Sequence, residues 1–352
     1  MSEYPNHTYQ EIMSQPQSWH EALQRFEAAK EELAALWQRE QLERVIFTGC
    51  GSTYYLSLMG ARLFQRLTAV PTQAYPASEL VLFPDSVYLK ASRTLLVAVS
   101  RSGSTTETVA ALKLFKELNL GPTLTLGCYR DSPLAQQADV ALIVDSAREA
   151  SVAQTRSFSS MAVLAQCLAH YLSPERSIER LLPLPGACQR LLATYQGLAQ
   201  ALAEDATIQR FFFLGTEALY GLACEAMLKM KEMSLSYSEA FHTLEFRHGP
   251  MSMVDPSALV IGLVSDSALL PEQAVLKQMR WQGARTLSIS EDGLAEAQFT
   301  VALQSGIPET ARAILYLPVL QLLAYYRALR NGQNPDQPVN LAAVVTLDSL
   351  LG

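Results

Sequence analysis

Four short apolar runs punctuate the first half of the chain: RVIFTG (44–49), TLLVAVS (94–100), TLTLGC (123–128) and ALIVDS (141–146), each closing on or beside Gly, Ser or Asp. Between the second and third lies TETVAALKLFKEL (106–118), with the 3.6-residue spacing of a helix. An unbroken apolar strand has to be buried on both faces. Strands of this kind alternating with helices predict a parallel sheet covered by helices on each side. The pattern then recurs in FFFLGTEA (211–218), ALVIGLVSD (258–266), RTLSIS (285–290) and FTVALQS (299–305), so the second half reads as a diverged copy of the first. Leu23, Phe26, Leu33, Ala34 and Trp37 place an amphipathic leading helix over residues 18–40. The organisation expected is an N-terminal helical segment (1–40), a first domain (41–190), a second domain (191–335) and a C-terminal tail (336–352). PLPGACQ (183–189) and the helix-like stretch after it form the joint, near residues 185–205.

A chain of 352 residues, 49% hydrophobic, can fill two ordinary cores. Its 27 Lys and Arg against 34 Asp and Glu give a net charge of −7 with no basic block, which argues against a surface that tracks nucleic-acid phosphates. Cys50, Cys128, Cys167, Cys188 and Cys224 show no CxxC spacing, arguing against a disulfide framework or zinc site and for a reducing compartment. The first residues, MSEYPNHTYQEIMSQPQSWHE, lack a charged stretch followed by an apolar one, and no apolar run reaches the ~18 residues that cross a bilayer. A soluble cytoplasmic protein, with neither membrane nor nucleic acid as partner, is expected.

Two loops join strand to helix with small hydroxylated residues. The first carries Cys50, Gly51, Ser52 and Thr53; the second carries Ser100, Arg101, Ser102, Gly103, Ser104 and Thr105. Small residues let the backbone approach a ligand, and a helix N-terminus offers unpaired N–H groups, so both suit a phosphate, with Arg101 adding a cation. The plainer reading is a tight turn with Ser or Thr as helix N-cap. Neither GxxxxGK followed by Ser or Thr, nor GxGxxG, is present. A third stretch, EASVAQTRSF (149–158), follows ALIVDS. It reads either as a solvated loop or, from its place at a strand's carboxyl end, as a ligand-binding segment.

The second half holds EAMLKMKE (225–232), four charges in an otherwise apolar helix. Glu225, Lys229 and Glu232 follow i, i+4, i+7 and share a face, while Lys231 points elsewhere. Helix pairing at ~0.2–0.5 kcal/mol per pair is the ordinary account. The continuation MSLSYSEAFHTLEFRHGP (233–250) adds Glu239, Glu245, Arg247 and His248, and carboxylates with a lysine and a histidine suit proton transfer near neutral pH. His170 and His242 read as packed side chains.

The loops CGST and SRSGSTTET, the segment VAQTRSF, the helix CEAMLKMKE and the run EAFHTLEFRHGP together resemble the double sugar-isomerase (SIS) domain family, from about residue 47 to 348. The likeness covers the isomerase half of glucosamine-6-phosphate synthase and, more closely, stand-alone glucosamine-6-phosphate deaminases and phosphosugar isomerases. It implies an α/β fold of two tandem SIS domains, each a mainly parallel sheet flanked by helices in a flavodoxin-like three-layer α/β/α arrangement. It implies a phosphate site at Ser100, Arg101, Ser102 and Thr105, with Cys50, Gly51, Ser52 and Thr53 contributing and Val152 and Gln154 lining the substrate. Arg101 stands where the synthase has glutamine. Glu232 falls on the catalytic glutamate, Glu225 and Lys229 on its neighbours, and His248 on a ring-opening histidine supplied by the partner in a homodimer. The synthase lysine that engages the open-chain sugar is replaced by Ala343, which cannot form a Schiff base. Together with the absence of a glutaminase half, this points away from glutamine-dependent synthesis. The expected activity is conversion of glucosamine 6-phosphate to fructose 6-phosphate and ammonia, with no metal or organic cofactor. The alternatives are isomerisation or deglycation of another sugar phosphate, or a non-catalytic phosphosugar sensor.

Overall fold

The computed structural model describes residues 6–89 and 91–342, so Ala343 lies outside the described residues. The chain resolves into two compact units. One holds Gln17–Glu149 and Arg156–Leu182; the other holds Ala150–Thr155 and Pro183–Leu341 and takes in the N-terminal stretch through Pro16.

The first unit contains β1 (Arg44–Gly49), β2 (Thr72–Pro76), β3 (Thr94–Ser100), β4 (Thr123–Gly127) and β5 (Val140–Ile143). They form one parallel sheet in the order β2-β1-β3-β4-β5. Every residue of β1, β3 and β4 is buried, as their apolar runs require. Successive side chains of a strand face opposite ways, and β1 shows both layers. Ile46 packs with Ala77, Leu80, Leu112 and Phe115 on one side. Phe47 meets Phe64 of the helix Ser52–Thr68 at a centroid distance of 6.2 Å.

The second unit repeats the plan. Strands β6 (Arg210–Gly215), β7 (Tyr237–His242), β8 (Ala258–Leu263), β9 (Arg285–Ser290) and β10 (Phe299–Ala302) form a parallel sheet in the order β10-β9-β8-β6-β7. Read from the other edge, this is the second-first-third-fourth-fifth order of the first sheet. Phe212 and Leu214 of β6 pack with Val275, Leu276 and Met279 of the helix Leu269–Trp281. The apolar runs locate eight of the ten strands. The two they omit, β2 and β7, are edge strands whose half-exposed TQAYP and YSEAFH carry no apolar run.

The leading helix spans Gln15–Glu40, and a separate helix, His7–Met13, precedes it. PLPGACQ supplies the first turns of the helix Leu184–Glu204, where proline is tolerated because the first N–H groups have no partner within a helix. The five cysteines are free. No helix among the described residues is long and apolar enough to cross a membrane.

Candidate active site

In the first sheet the chain leaves β1 toward β2 on one side, while β3 lies on the other, so the loops at the carboxyl ends of β1 and β3 diverge and leave a crevice. Both hydroxyl-rich loops are at this point. After β1, Gly51 adopts φ 56° and ψ −124°, a conformation that strains any residue with a Cβ. Thr53 turns back on the loop, accepting from Cys50 N at 2.9 Å and donating to Cys50 O at 2.9 Å. Ser52 is buried at the first residue of its helix. Cys50 Sγ lies 3.6 Å from Thr108 Oγ1 on the helix Thr106–Glu117, so the two loops are neighbours. Burial pushes the Cys50 thiol above its usual range, which makes it a poor nucleophile.

After β3, Ser100 Oγ accepts from Gly103 N at 3.0 Å and lies 3.3 Å from Thr105 Oγ1. Ser102 Oγ accepts from Ser104 N and Ser104 Oγ, each at 3.2 Å. Gly103 has φ 64°, and a Cβ there would overlap Ser132. Thr105 stands at the N-cap of the helix without a side-chain cap of its own. The hydroxyls thus hold the loop's shape at a helix N-terminus, the setting in which backbone N–H groups receive an anion. Arg101, expected to add a cation to this loop, makes an ion pair behind it. It is buried, and its Nη1 lies 3.4 Å from Oε2 of Glu149, whose side chain is fully buried and also accepts from Ser157 N at 3.2 Å and from Ser157 Oγ.

Glu225, Lys229 and Glu232 share one face of the helix Ala218–Ser234, as their spacing predicts. Lys229 Nζ lies 3.4 Å from Glu225 Oε1 and donates to Glu232 Oε2. Side-chain exposure is 0% for Glu225, 1% for Lys229 and 19% for Glu232, so only Glu232 presents its carboxylate to a solute. Removing a carboxylate and an ammonium from water costs several kcal/mol per ion, and an exposed helix pair worth a few tenths cannot account for such a cluster. Lys231 is exposed.

His248 is exposed in the turn after the 3-10 helix Glu245–Arg247. Glu232 is near the end of its helix, just before β7, and His248 follows β7, so a strand of six residues separates them.

Val152 and Gln154 lie in the Ala150–Thr155 segment, which belongs to the second unit. Val152 N donates to Asp336 O at 3.0 Å. Gln154 Oε1 is buried with no hydrogen-bond partner among the described residues. Three groups escaped the sequence reading: Glu149 as the partner of Arg101, and Glu11 and Asp336, which bond the 150–152 backbone. The only local signal was that EASVAQT follows a strand. His242 is exposed but stacked on Tyr220, with ring centroids 3.8 Å apart, while His170 is buried. No group of three His, Cys, Asp or Glu side chains suited to a metal ion occurs among the described residues.

The SIS domain model matches residues 40–171 and 206–329, one match on each sheet. An isomerizing glutamine–fructose-6-phosphate aminotransferase of Methanothermobacter thermautotrophicus is 28% identical over 351 residues, 98% of this chain and 58% of its own length. Its counterpart in Haemophilus influenzae is 30% identical over 327 residues, 88% of this chain and 52% of its own. The chain thus spans about half the length of these relatives. Among solved structures, a glucosamine-6-phosphate deaminase from Thermotoga maritima superposes with a TM-score of 0.74 at 30% identity, over 93% of this chain and 100% of that one. A tagatose-6-phosphate ketose/aldose isomerase from Escherichia coli shares the fold, with a TM-score of 0.85 at 24% identity over 96% and 97%. By the matches on both sheets, the chain belongs to the SIS domain family and is homologous to about half the length of those aminotransferases and to that deaminase.

Proposed function

We propose that the chain deaminates an amino-hexose 6-phosphate, glucosamine 6-phosphate first among them, to fructose 6-phosphate and ammonia. The observation that carries this reading is the Glu232 carboxylate, partly exposed and held by a buried lysine with Glu225 behind it. The loop at Ser100, Ser102 and Thr105, with Ser52 beside it, receives the phosphate at a helix N-terminus. Arg101 shapes that loop through Glu149 and adds its charge from behind. Anchoring the phosphate fixes the carbon chain, and proximity then contributes much of the rate.

His248 of a second copy moves a proton from the anomeric hydroxyl to the ring oxygen and opens the sugar. Glu232 removes the C2 proton, leaving an enolamine, and returns a proton to C1. The product of that step is a C2 imine bearing a C1 alcohol. Water adds at C2 and ammonia leaves, giving the ketose phosphate. Lys229 holds Glu232 in place through their ion pair. Ala343, at the position of the synthase lysine, supports hydrolysis over synthesis.

The test is to incubate the purified protein with glucosamine 6-phosphate and follow ammonia and fructose 6-phosphate. Both should form. Glu232→Gln should lower turnover by roughly 10²–10⁴-fold while retaining sugar-phosphate binding. An absence of both turnover and binding would overturn the reading; aldose–ketose exchange without ammonia would redirect it to isomerisation by the same residues.

A further inference from the structure

The Ala150–Thr155 segment belongs to a different unit from the residues on either side of it, and one carboxylate and one backbone carbonyl, both remote in sequence, bond its first half. Glu11, 3% exposed on the helix His7–Met13, accepts from Ala150 N at 2.6 Å and Ser151 N at 3.3 Å through Oε1, and from Ser151 Oγ through Oε2. The next amide, Val152 N, donates to Asp336 O at 3.0 Å. The Asp336 carboxylate in turn accepts from His7 N at 3.0 Å, Thr8 N at 2.7 Å and Thr8 Oγ1 at 2.8 Å, in the first turn of the helix that carries Glu11. The bonds close a ring: helix, Glu11, residues 150–152, Asp336, helix. At the far end of the segment, Gln321 Nε2 donates to Thr155 O at 3.2 Å.

A short helix that needed only to pack would place an apolar residue at position 11, because a buried carboxylate is costly unless several donors meet it. What three aimed donors achieve is a fixed backbone direction. That direction sets where the Val152 backbone and the Gln154 side chain point, and Gln154 keeps a buried acceptor oxygen unused among the described residues. Supports of this kind hold contact groups within the tolerance that binding requires.

We infer that Glu11 and Asp336 are positioning residues for the sugar-phosphate site, holding segment 150–155 in its binding path. This rests on the proposal that Val152 and Gln154 line that site. The experiment compares Glu11→Ala, Glu11→Gln, Ser151→Ala and Gln154→Ala in the full chain. It reads KM and kcat with glucosamine 6-phosphate, calorimetric Kd for fructose 6-phosphate, and amide hydrogen exchange across 150–155.

Glu11→Ala should speed exchange at residues 150–152 and raise KM and Kd by about tenfold or more, with kcat changed far less. Glu11→Gln keeps an acceptor oxygen for the two amides and should recover most of that loss. Ser151→Ala, which deletes one of the three bonds, should give an intermediate effect and keeps the inference testable if Glu11→Ala does not fold. If Gln154→Ala raises KM while Glu11→Ala and Ser151→Ala speed exchange without moving KM or Kd, the positioning role is overturned and the site reading stands. If none of the variants moves KM or Kd, segment 150–155 is no part of the site and the inference falls with that reading.

Discussion

Lys229 is the residue on which the Glu225–Lys229–Glu232 face depends. It is buried between two carboxylates, and its removal would take the ammonium from both. Lys229→Met should therefore destabilise the protein by about 3–5 kcal/mol. Adding Glu225→Gln should restore part of that, because the most buried uncompensated charge is then gone. Urea denaturation of the single and double variants measures the coupling; strictly additive losses would show that the three groups do not act as a unit. This face was legible in the sequence because its members are neighbours at helical spacing. The partner of Arg101 was not, because Glu149 lies 48 positions away and nothing local marks the pair. Glu11 escaped for the same reason, being 139 positions from Ala150. Periodicity reports contacts within an element, whereas contacts across the fold leave no spacing to read.

At the level of elements, the two turns that follow the first strand of each sheet repeat one another closely. Gly51 has φ 56° and ψ −124°, and Glu217, in the equivalent turn after β6, has φ 52° and ψ −125°. Gly49 and Gly215 end the two strands, and a Cβ on either would strike the residue four positions on. A glutamate in the backbone region that glycine prefers carries strain of order 1–3 kcal/mol, partly offset here by the 2.6 Å bond that Glu217 Oε2 accepts from Ala218 N. Glu217→Gly should therefore raise stability, by about 1 kcal/mol after the extra chain entropy of glycine. A fall in the urea midpoint would mean that the carboxylate's bond outweighs the strain. Apolar runs revealed the buried central strands, since a strand covered on both faces must be apolar throughout. They could not reveal β2 and β7, whose edge positions leave a mixed pattern.

For the whole molecule, the proposal that His248 of a second copy completes the Glu232 site has a direct test. Glu232→Gln and Glu-intact His248→Ala proteins should each be nearly inactive alone. Mixed and allowed to exchange subunits, they should recover about a quarter of wild-type activity, because half the dimers are mixed and each of those rebuilds one of two sites. No recovery after subunit exchange has been verified by a tagged pull-down would place both groups in one chain.

The division of the chain into units also bears on how such a protein can change over generations. The second unit is built from three separate stretches, and the Asp336 carboxylate accepts from residues 7 and 8. A recombination event that exchanged everything after Leu182 for a homologous repeat would bring in a half that had never been matched to the retained 6–16 and 150–155 strips. The repeats look like interchangeable cassettes in the sequence, but selection has to keep or alter them together.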